Sequence, residues 1–532
     1  MHFHRLKSTV AAAALAFGLS TGAVSAQGIV KVSADSDLKS LDPIWTTAAV
    51  TAGHGMLIYD QLFAQDVKGL VKPQMVESWK SSADGRTWVF VLRPGLKWHD
   101  GTNVTSKDVV PSIKRWGARI ASGQILMTRV ADVVAVDERT FEIRLKDTFG
   151  PVVEMLGASA QPLLVMREKE AMVDPFSQVE EAIGSGPFIF EKDKWVPGSK
   201  VSYRKNPAYV PRSEAPDGYT GGKVVKLDGV EWTYIPDPNT AVQALIRGEV
   251  DFFEYVPTDL VQILEKDKNI TVKIINHGGF TPILRPNHVV APTNNPKVRQ
   301  AMLYAMNQSD SLAAMVGNKT LEKECWAVFA CGFPLETNAG VGDWGKPNPG
   351  NIAKAKALLK EAGYNNEPIV LMDPTENAVI SAMSKMSAQL LKNAGFNIDL
   401  QAMDWGTLIT RRAIKDDPKA PGSKGWHVFH TWGVGPLSAD PLTNNTAATP
   451  CDGKNWFGWP CDEQLEAIRQ KFITVSDMAE RKKLADDFQK RFYEVVPYIP
   501  LGMFYQKAAW RNNIEGILDN MKIVWWNATK KS

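Results

Sequence analysis

The chain has 532 residues, of which 44% are hydrophobic and 22% are charged, the balance of an ordinary globular protein. Its length exceeds what one hydrophobic core supports and predicts two or three domains. The formal net charge of +3 gives no electrostatic reason to expect nucleic acid or an anionic membrane surface as a partner.

The N-terminal segment has the pattern of a secretory signal peptide. Basic residues precede an apolar run over residues 10–19, and small residues follow at the positions that a signal peptidase reads. We expect cleavage between Ala26 and Gln27, which leaves residues 1–26 outside the mature protein. The run is too short for a permanent membrane span, and no cysteine stands at the cleavage site to carry a lipid anchor. The segment therefore predicts a protein released into the periplasm.

Beyond this segment the pattern is that of a mixed α/β protein. Runs of β-branched and aromatic residues predict strands, and apolar residues at helical spacing predict helices. Asp462 fits an N-cap and Gly363 a C-cap glycine of two of these helices. In chain order, the clearest elements are strands at 87–92 and 140–145 and helices at 296–306, 351–362 and 462–472.

The four cysteines fall into two close pairs, Cys325 with Cys331 and Cys451 with Cys461. Local disulfides are the simplest of the three connectivities and fit an oxidising compartment. The alternative, a metal site, would need tighter spacing or histidine nearby. We therefore predict both local disulfides and no metal centre.

An exported hydrolase is the main alternative class of function. The predicted mature chain contains no G-x-S-x-G and no H-E-x-x-H, and its S-x-x-K matches lack S-D-N or K-T-G partners. His427 and His430 stand three residues apart, but on a strand that spacing points them to opposite faces. We therefore predict neither catalysis nor a bound metal or other cofactor.

Four blocks of sequence carry a resemblance to a known family. They are SADGRTWVFVLRPGLKWHDG at 82–101 with TSKDVV at 105–110, GSGPF at 184–188 with WVPG at 195–198 and RKNPAY at 204–209, ALIRGEVD at 244–251, and NPKVRQAM at 295–302. In this order the blocks resemble family 5 of the extracellular solute-binding proteins, the peptide-, nickel- and opine-type receptors of ABC importers.

The resemblance implies an α/β, bilobed periplasmic-binding-protein fold in which two lobes, joined by two crossover strands, close over a ligand. Such hinge closure reports occupancy to a membrane permease. The expected boundaries are lobe I at 27–280 plus 500–532, an inserted subdomain of lobe I at about 60–185, lobe II at 281–499, and crossovers near 278–287 and 498–504.

The same resemblance points to candidate ligand contacts on several segments. Trp45 fits either an aromatic wall of the cleft or a packing residue, and Arg285 fits either a fork on a ligand carboxylate or an interlobe salt bridge. Trp432 offers a flat surface on which an apolar or cationic group can stack. The full set of candidates is Trp45, Thr46, Phe280, Arg285, Asn287, Trp405, Trp432, Gly433 and Asp440.

One position departs from the peptide-binding relatives. In them, an aspartate three residues after the tryptophan equivalent to Trp432 pairs with the α-ammonium of the ligand, whereas this chain has Gly435. A buried ammonium without that carboxylate would be costly. We therefore expect no free peptide N-terminus in the site unless Asp440, in the following loop, replaces the missing acid. The aromatic residues of the loop between Cys451 and Cys461 either cover the cleft or pack beneath it.

The sequence thus predicts a monomeric periplasmic receptor that captures a peptide-like or other small solute and delivers it to the permease subunits of an ABC importer. Opine, glutathione-like and other amino-acid conjugates stay open as ligands. A non-transport exported binder, such as a peptidoglycan-peptide sensor or a chaperone-like protein, is the alternative. Ligand identity cannot be read from the sequence, because clefts of this family are lined by variable side chains and filled by water.

Overall fold

The computed structural model describes residues 28–34, 36–67, 70–158, 161–342, 350–475, 477–518, 520 and 522–531. The predicted signal peptide and its cleavage site lie outside the described residues. None of the helices within these ranges combines the length and apolar character that a membrane-spanning helix needs.

The strands are short and distributed along the whole chain. They are β1 (Ile29–Ala34), β2 (Phe63–Gln65), β3 (Val71–Pro73), β4 (Val76–Ser81), β5 (Thr87–Leu92), β6 (Val130–Ala135), β7 (Thr140–Leu145), β8 (Phe188–Phe190), β9 (Lys200–Lys205), β10 (Gly229–Tyr234), β11 (Phe252–Val256), β12 (Ile270–Ile274), β13 (Phe280–Pro286), β14 (Glu322–Lys323), β15 (Pro368–Pro374), β16 (Asn397–Met403), β17 (Val428–Val434), β18 (Ile499–Pro500), β19 (Met503–Phe504), β20 (Lys507–Arg511), β21 (Ile514–Glu515) and β22 (Thr529–Lys530).

The helices are interspersed among the strands. They are α1 (Ala49–Ile58), α2 (Ser106–Arg119), α3 (Ala121–Arg129), α4 (Val152–Leu156), α5 (Glu168–Ala171), α6 (Pro238–Arg247), α7 (Thr258–Glu265), α8 (Pro296–Ala305), α9 (Gln308–Met315), α10 (Gly350–Glu361), α11 (Ala378–Asn393), α12 (Trp405–Arg411), α13 (Gly435–Ser438), α14 (Glu463–Lys471) and α15 (Met478–Val495).

The five elements predicted from the sequence are confirmed. β5 and β7 coincide with the predicted strands, and α8, α10 and α14 begin and end within one residue of the predicted bounds. The Asp462 side chain accepts a hydrogen bond from the Leu465 backbone N–H at 2.8 Å, which caps α14. Gly363 has a φ of +69°, the left-handed conformation that a glycine adopts readily at the end of a helix.

Two mixed sheets form the centres of two bodies. The first sheet has the order β12-β20-β11-β1-β10-β9-β8, with β1 parallel to β10 and β11. The second has the order β14-β19-β13-β17-β15-β16, and β18 also pairs with β13. We call the body around the first sheet lobe I and the body around the second sheet lobe II.

The chain passes between the two sheets at two places. The first connection is residues 275–279, between β12 and β13, and the second is residues 505–506, between β19 and β20. Residues 500–504, which we expected in lobe I, thus pair within the lobe II sheet. The reason is that β18 and β19 return along β13 after α15 ends, so the chain completes a lobe II edge before it crosses.

A third sheet, of order β4-β5-β7-β6, builds a subdomain with α2 and α3. A buried ion pair ties this subdomain to the loop before α1. Arg115 on α2 donates to Asp42 at 2.6 Å, and neither side chain is exposed to solvent. The other oxygen of Asp42 accepts the backbone N–H groups of Ile44 and Trp45, so the same pair fixes the start of the loop that leads to the cleft.

The cysteines form the two local disulfides, Cys325–Cys331 and Cys451–Cys461. His427 and His430 are both buried and hydrogen-bonded to other groups: His427 lies between the backbone of Val370 and Ala291, and His430 contacts serine hydroxyls on α11. Within the described ranges, no group of three or more histidine, cysteine, aspartate or glutamate side chains is arranged to hold a metal ion.

Candidate ligand-binding site

A cavity lies between the two lobes. Its volume, counted as the space open to the centres of water molecules, is about 120 Å³, which is room for several waters or for a solute that displaces them. Lobe I contributes the segment 47–49 together with Tyr255 and Lys522. Lobe II contributes the ends of β13 and β17, the helix α12 with Arg412, and the loop 443–446. The wall is therefore built by strand ends and loops, where side chains can be varied without disturbing the sheets.

Four of the predicted contacts line this cavity: Phe280, Trp405, Trp432 and Gly433. The antiparallel register of β13 and β17 places Phe280 opposite Val434, and Thr281 opposite Gly433. The Phe280 ring lies 5.9 Å from that of Trp432 and 5.1 Å from that of Phe504, so the three rings form one aromatic cluster at the strand ends. Trp432 is half-buried and presents its remaining surface to the cavity.

Trp405 reaches the cavity from the first position of α12. Asp404 caps this helix by accepting the Thr407 backbone N–H at 2.9 Å, and Asp404 also forms an ion pair with Lys39 of lobe I. The backbone N–H of Trp405 donates to the Glu376 carboxylate. Trp405 itself is 7% exposed, so α12 holds the ring in a fixed place against the cavity.

The predicted contacts Trp45 and Thr46 lie outside this cavity. The Trp45 indole N–H donates to the Phe176 carbonyl at 3.0 Å, and Trp45 lines a separate cavity of about 150 Å³ beside the subdomain. The Thr46 hydroxyl accepts a hydrogen bond from Arg412 at 3.2 Å in the interior. The next residue, Thr47, lines both cavities. The residue of this loop that reaches the main cavity therefore stands one or two positions after the predicted ones.

Arg285 and Asn287 are not among the described residues that line the cavity. Arg285 is fully buried and donates to backbone carbonyls of Thr446, Trp456, Phe457 and Pro497, at 2.7 to 3.4 Å. Asn287 donates to the Trp426 carbonyl at 3.0 Å. The physical reason is that β13 is an inner strand of lobe II, so its later residues point into that lobe rather than across the cleft. Among the described residues Arg285 thus forms no interlobe salt bridge and ties loops of lobe II together, and its contact with a ligand carboxylate stays a prediction.

Asp440 also lies away from the cavity. Its carboxylate accepts the Leu442 backbone N–H at 2.7 Å and pairs with Arg481 at 3.3 Å. Gly435 has no space for a side chain, because a Cβ there would lie 2.0 Å from the carbonyl oxygen of Gly278. Neither position therefore supplies the missing acid, and the described residues that line the cavity include no aspartate or glutamate.

The sequence analysis missed Arg412, the residue that follows α12. Arg412 lines the cavity, yet it is only 1% exposed. Burial, together with the nearby Arg119 guanidinium, lowers the pKa of Arg412 to about 9, so the side chain is charged at neutral pH. A signal was present: Arg412 stands seven residues after Trp405, two helical turns on, which places both residues on one face.

Contacts between the lobes surround the cavity. The Trp456 indole N–H of lobe II donates to the Thr47 hydroxyl of lobe I at 3.1 Å, and Asn445 contacts Gln161 and the Ala121 backbone N–H of the subdomain. With the Lys39–Asp404 pair, these contacts hold the lobes in a closed arrangement. Of the loop between Cys451 and Cys461, Trp456 covers the cavity, whereas Phe457 and Trp459 pack beneath it.

Comparison with known proteins gives one consistent result for the sequence. A family model described as bacterial extracellular solute-binding proteins, family 5 Middle, matches residues 71–450. The chain is 39% identical over 510 residues to the probable peptide ABC transporter periplasmic-binding protein y4tO of Sinorhizobium fredii (strain NBRC 101917 / NGR234), covering 96% of this chain and 94% of that protein. It is 26% identical over 528 residues to the glutathione-binding protein GsiB of Escherichia coli (strain K12), covering 96% of both chains.

Solved structures share the fold. The binding protein AgaA from A. tumefacien R10, in complex with agropinic acid, superposes with a TM-score of 0.78 at 21% identity and covers 95% of this chain and 99% of its own. A dipeptide-binding protein from Pseudoalteromonas sp. SM9913, in complex with Met-Leu, gives 0.75 at 19% identity and covers 95% and 100%. These likenesses confirm the predicted bilobed α/β fold.

Proposed function

This chain belongs to family 5 of the bacterial extracellular solute-binding proteins, and from that membership we propose that it captures a peptide-like solute between its lobes and delivers it to the permease of an ABC importer. Proteins of this family bind solutes for transport, so the prediction that the chain is not an enzyme is confirmed. Its relatives include a probable peptide-binding protein and a glutathione-binding protein, which supports a ligand built from amino acids.

The observation that carries the proposal is the cavity between two bodies, which are joined by two chain crossings in the described part of the chain. Because the crossings are short, residues 275–279 and 505–506, a change in a few backbone angles there rotates one lobe against the other. A solute in the cavity touches both lobes, so it binds the closed arrangement more tightly than an open one. This difference in affinity stabilises the closed arrangement.

The domain organisation follows from the same two crossings. We assign residues 28–274 and 507–531 to lobe I, with the subdomain inserted between β3 and β8, and residues 280–504 to lobe II. The mature protein begins near Gln27, after removal of the signal peptide in the periplasm, and it acts as a monomer.

Ligand binding is expected to compact and stabilise the protein. Native mass spectrometry of freshly purified mature protein identifies a co-purified solute, which is then removed and added back at about 100 times its dissociation constant. Small-angle scattering should show a smaller radius of gyration, and the free energy of unfolding should rise by about 2.7 kcal/mol. A broad panel of peptides and amino-acid conjugates that changes neither quantity would remove the basis for the proposed receptor.

Replacing Trp432 with alanine is expected to weaken binding of that solute by about 1–3 kcal/mol, because a half-buried indole face is lost from the cavity wall. Isothermal titration measures the change. The matched control is Trp79→Ala, which removes a tryptophan that is 40% exposed on the subdomain sheet and leaves the cavity untouched. Equal affinity of the Trp432→Ala and Trp79→Ala proteins would show that Trp432 only packs against its aromatic neighbours.

A further inference from the structure

Arg412 is a buried cation that no carboxylate of the described residues pairs with. Its Nη2 donates only to the hydroxyls of Thr46 and Thr47, at 3.2 and 3.4 Å. The Nε atom is buried with no hydrogen-bond partner, and in the described part of the chain no carboxylate forms an ion pair with this guanidinium. Hydroxyl oxygens do not neutralise a cation, so the described residues leave the charge of Arg412 uncompensated.

Aromatic rings hold this guanidinium in place. Its central carbon lies 4.5 Å from the centre of the Phe457 ring and 5.6 Å from that of Trp456, with Phe429 and Trp405 at about 6 Å. Cation–π attraction of this kind offsets a part of the desolvation cost but accepts none of the in-plane N–H groups. Of these, Nη2 donates to the two threonine hydroxyls, and Nε has no partner among the described residues. The arrangement fixes a planar fork of donors beside the cavity.

Arg285 shows what a structural arginine looks like in the same lobe. It is equally buried, it also lies over Trp456 at 4.9 Å, and burial lowers its pKa to about 9 as well. Its guanidinium N–H groups, however, meet backbone carbonyls, whereas Arg412 has no carbonyl acceptor among the described residues. The two residues share burial and charge and differ in whether the protein satisfies the donors.

The rest of the cavity has the same sign of charge. Lys522 of lobe I is the other charged residue among the described lining residues. Glu254 and Glu376 line two adjoining cavities instead, and burial raises the pKa of Glu376. An ammonium group in the main cavity would therefore meet the Arg412 guanidinium and no carboxylate of the described lining residues.

We propose that Arg412 is the anchor for a carboxylate of the captured solute, and that this solute carries no free ammonium group in the main cavity. This inference rests on the proposed function and adds the chemical class of the ligand: a peptide-like acid whose amino end is acylated or absent. The guanidinium fork matches the two oxygens of a carboxylate, and the burial of Arg412 strengthens the pair.

Three dipeptide pools test the charge requirement on the mature wild-type protein: N-acetyl dipeptides with a free carboxylate, the same N-acetyl dipeptides as C-terminal amides, and unmodified dipeptides. Native mass spectrometry after gel filtration reports what each pool leaves bound. The acid pool should be retained at least about 30-fold more strongly than the amide pool, the effect of removing one partner of a buried charge pair. The retention of the acid pool should also exceed that of the unmodified dipeptides.

The outcomes separate the two proposals. Retention of the amide pool at the level of the acid pool, or stronger retention of unmodified dipeptides, overturns the role of Arg412 and leaves a peptide-binding receptor. Retention from none of the three pools overturns the capture of peptide-like solutes itself, and the inference with it.

Two variants locate the effect at Arg412. Arg412→Met should abolish the preference for acids over amides, whereas Arg412→Lys should keep the preference with weaker binding, because a charge without the fork remains.

The melting temperature of ligand-free Arg412→Met protein should be unchanged or raised, since an uncompensated buried charge is removed. Arg285→Met is the matched control and should melt at a lower temperature, because it deprives carbonyls of their donor. Persistence of the acid preference in Arg412→Met would overturn the proposal.

Discussion

Replacing Arg115 with methionine is expected to lower the free energy of unfolding by about 3–5 kcal/mol, since it leaves the Asp42 carboxylate buried without its cation. Arg115 also donates to the backbone carbonyls of Val173, Asp174 and Ser177, at 2.6 to 3.0 Å, and these acceptors lose their partners too. Because Asp42 fixes the loop that carries Thr47 to the cavity, the same variant should bind its solute more weakly.

Urea unfolding followed by tryptophan fluorescence measures the change. The matched control is Arg129→Met in the same subdomain, where Arg129 and Asp147 lie 2.8 Å apart but their side chains are 31% and 52% exposed. Water solvates both of these groups, so the loss should be within about 1 kcal/mol. Equal losses of stability in the two variants would show that the buried Arg115–Asp42 pair contributes no more than an exposed ion pair.

The fold was predictable for those elements whose local sequence pattern favours the same structure that their packing in the folded protein requires. The β-branched and aromatic residues of β5 and β7 and the capped helix α14 depend on residues within a few positions of each other, and these elements appear at the predicted places. The block order then supplied the bilobed arrangement, which the solved relatives share.

The site was predictable only in part, because burial is decided by contacts that are distant in the chain. Arg285 looks like a free cation in a strand, but carbonyls from residues 446, 456, 457 and 497 converge on it. Arg412 looks like the exposed end of a short helix, but the loop braced by Cys451–Cys461 folds over it and brings Trp456 and Phe457 to its faces. Neither environment has a local signature.

Two aromatic candidates, one near the end of a strand and one at the start of a helix, line the cavity. Trp432 and Trp405 reach the cavity because a strand end and a helix N-terminus both meet the cleft edge, a property of the topology that the sequence pattern already carries. Polar contacts depend instead on a loop position, and a displacement of one or two residues, as from Trp45 and Thr46 to Thr47, changes which side chain faces the solute.

Introducing the acid that the peptide-binding relatives have, by Gly435→Asp, is expected to lower the free energy of unfolding by about 3 kcal/mol or more and to confer no affinity for unmodified dipeptides. The new Cβ would lie 2.0 Å from the Gly278 carbonyl oxygen, a backbone atom that cannot turn away, and 3.1 Å from the Phe333 ring. Relief requires a shift of the connection 275–279, where the Gly435 backbone N–H donates to the Gly279 carbonyl at 2.9 Å.

The control for this variant is Gly433→Ala, two residues earlier and near the end of β17. There the added Cβ meets only the hydroxyls of Ser438 and Thr281, at 2.8 Å each, and both can rotate, so the loss of stability should be smaller. Urea unfolding and the dipeptide-pool measurement are made on both variants. A stable Gly435→Asp protein that gains affinity for unmodified dipeptides would contradict this prediction. It would show that the connection 275–279 can shift to make room for the side chain, and that one carboxylate converts the cavity into an amine-binding site. The close approach of Gly278 and Gly435 argues against this, because the contact belongs to the connection about which the lobes turn.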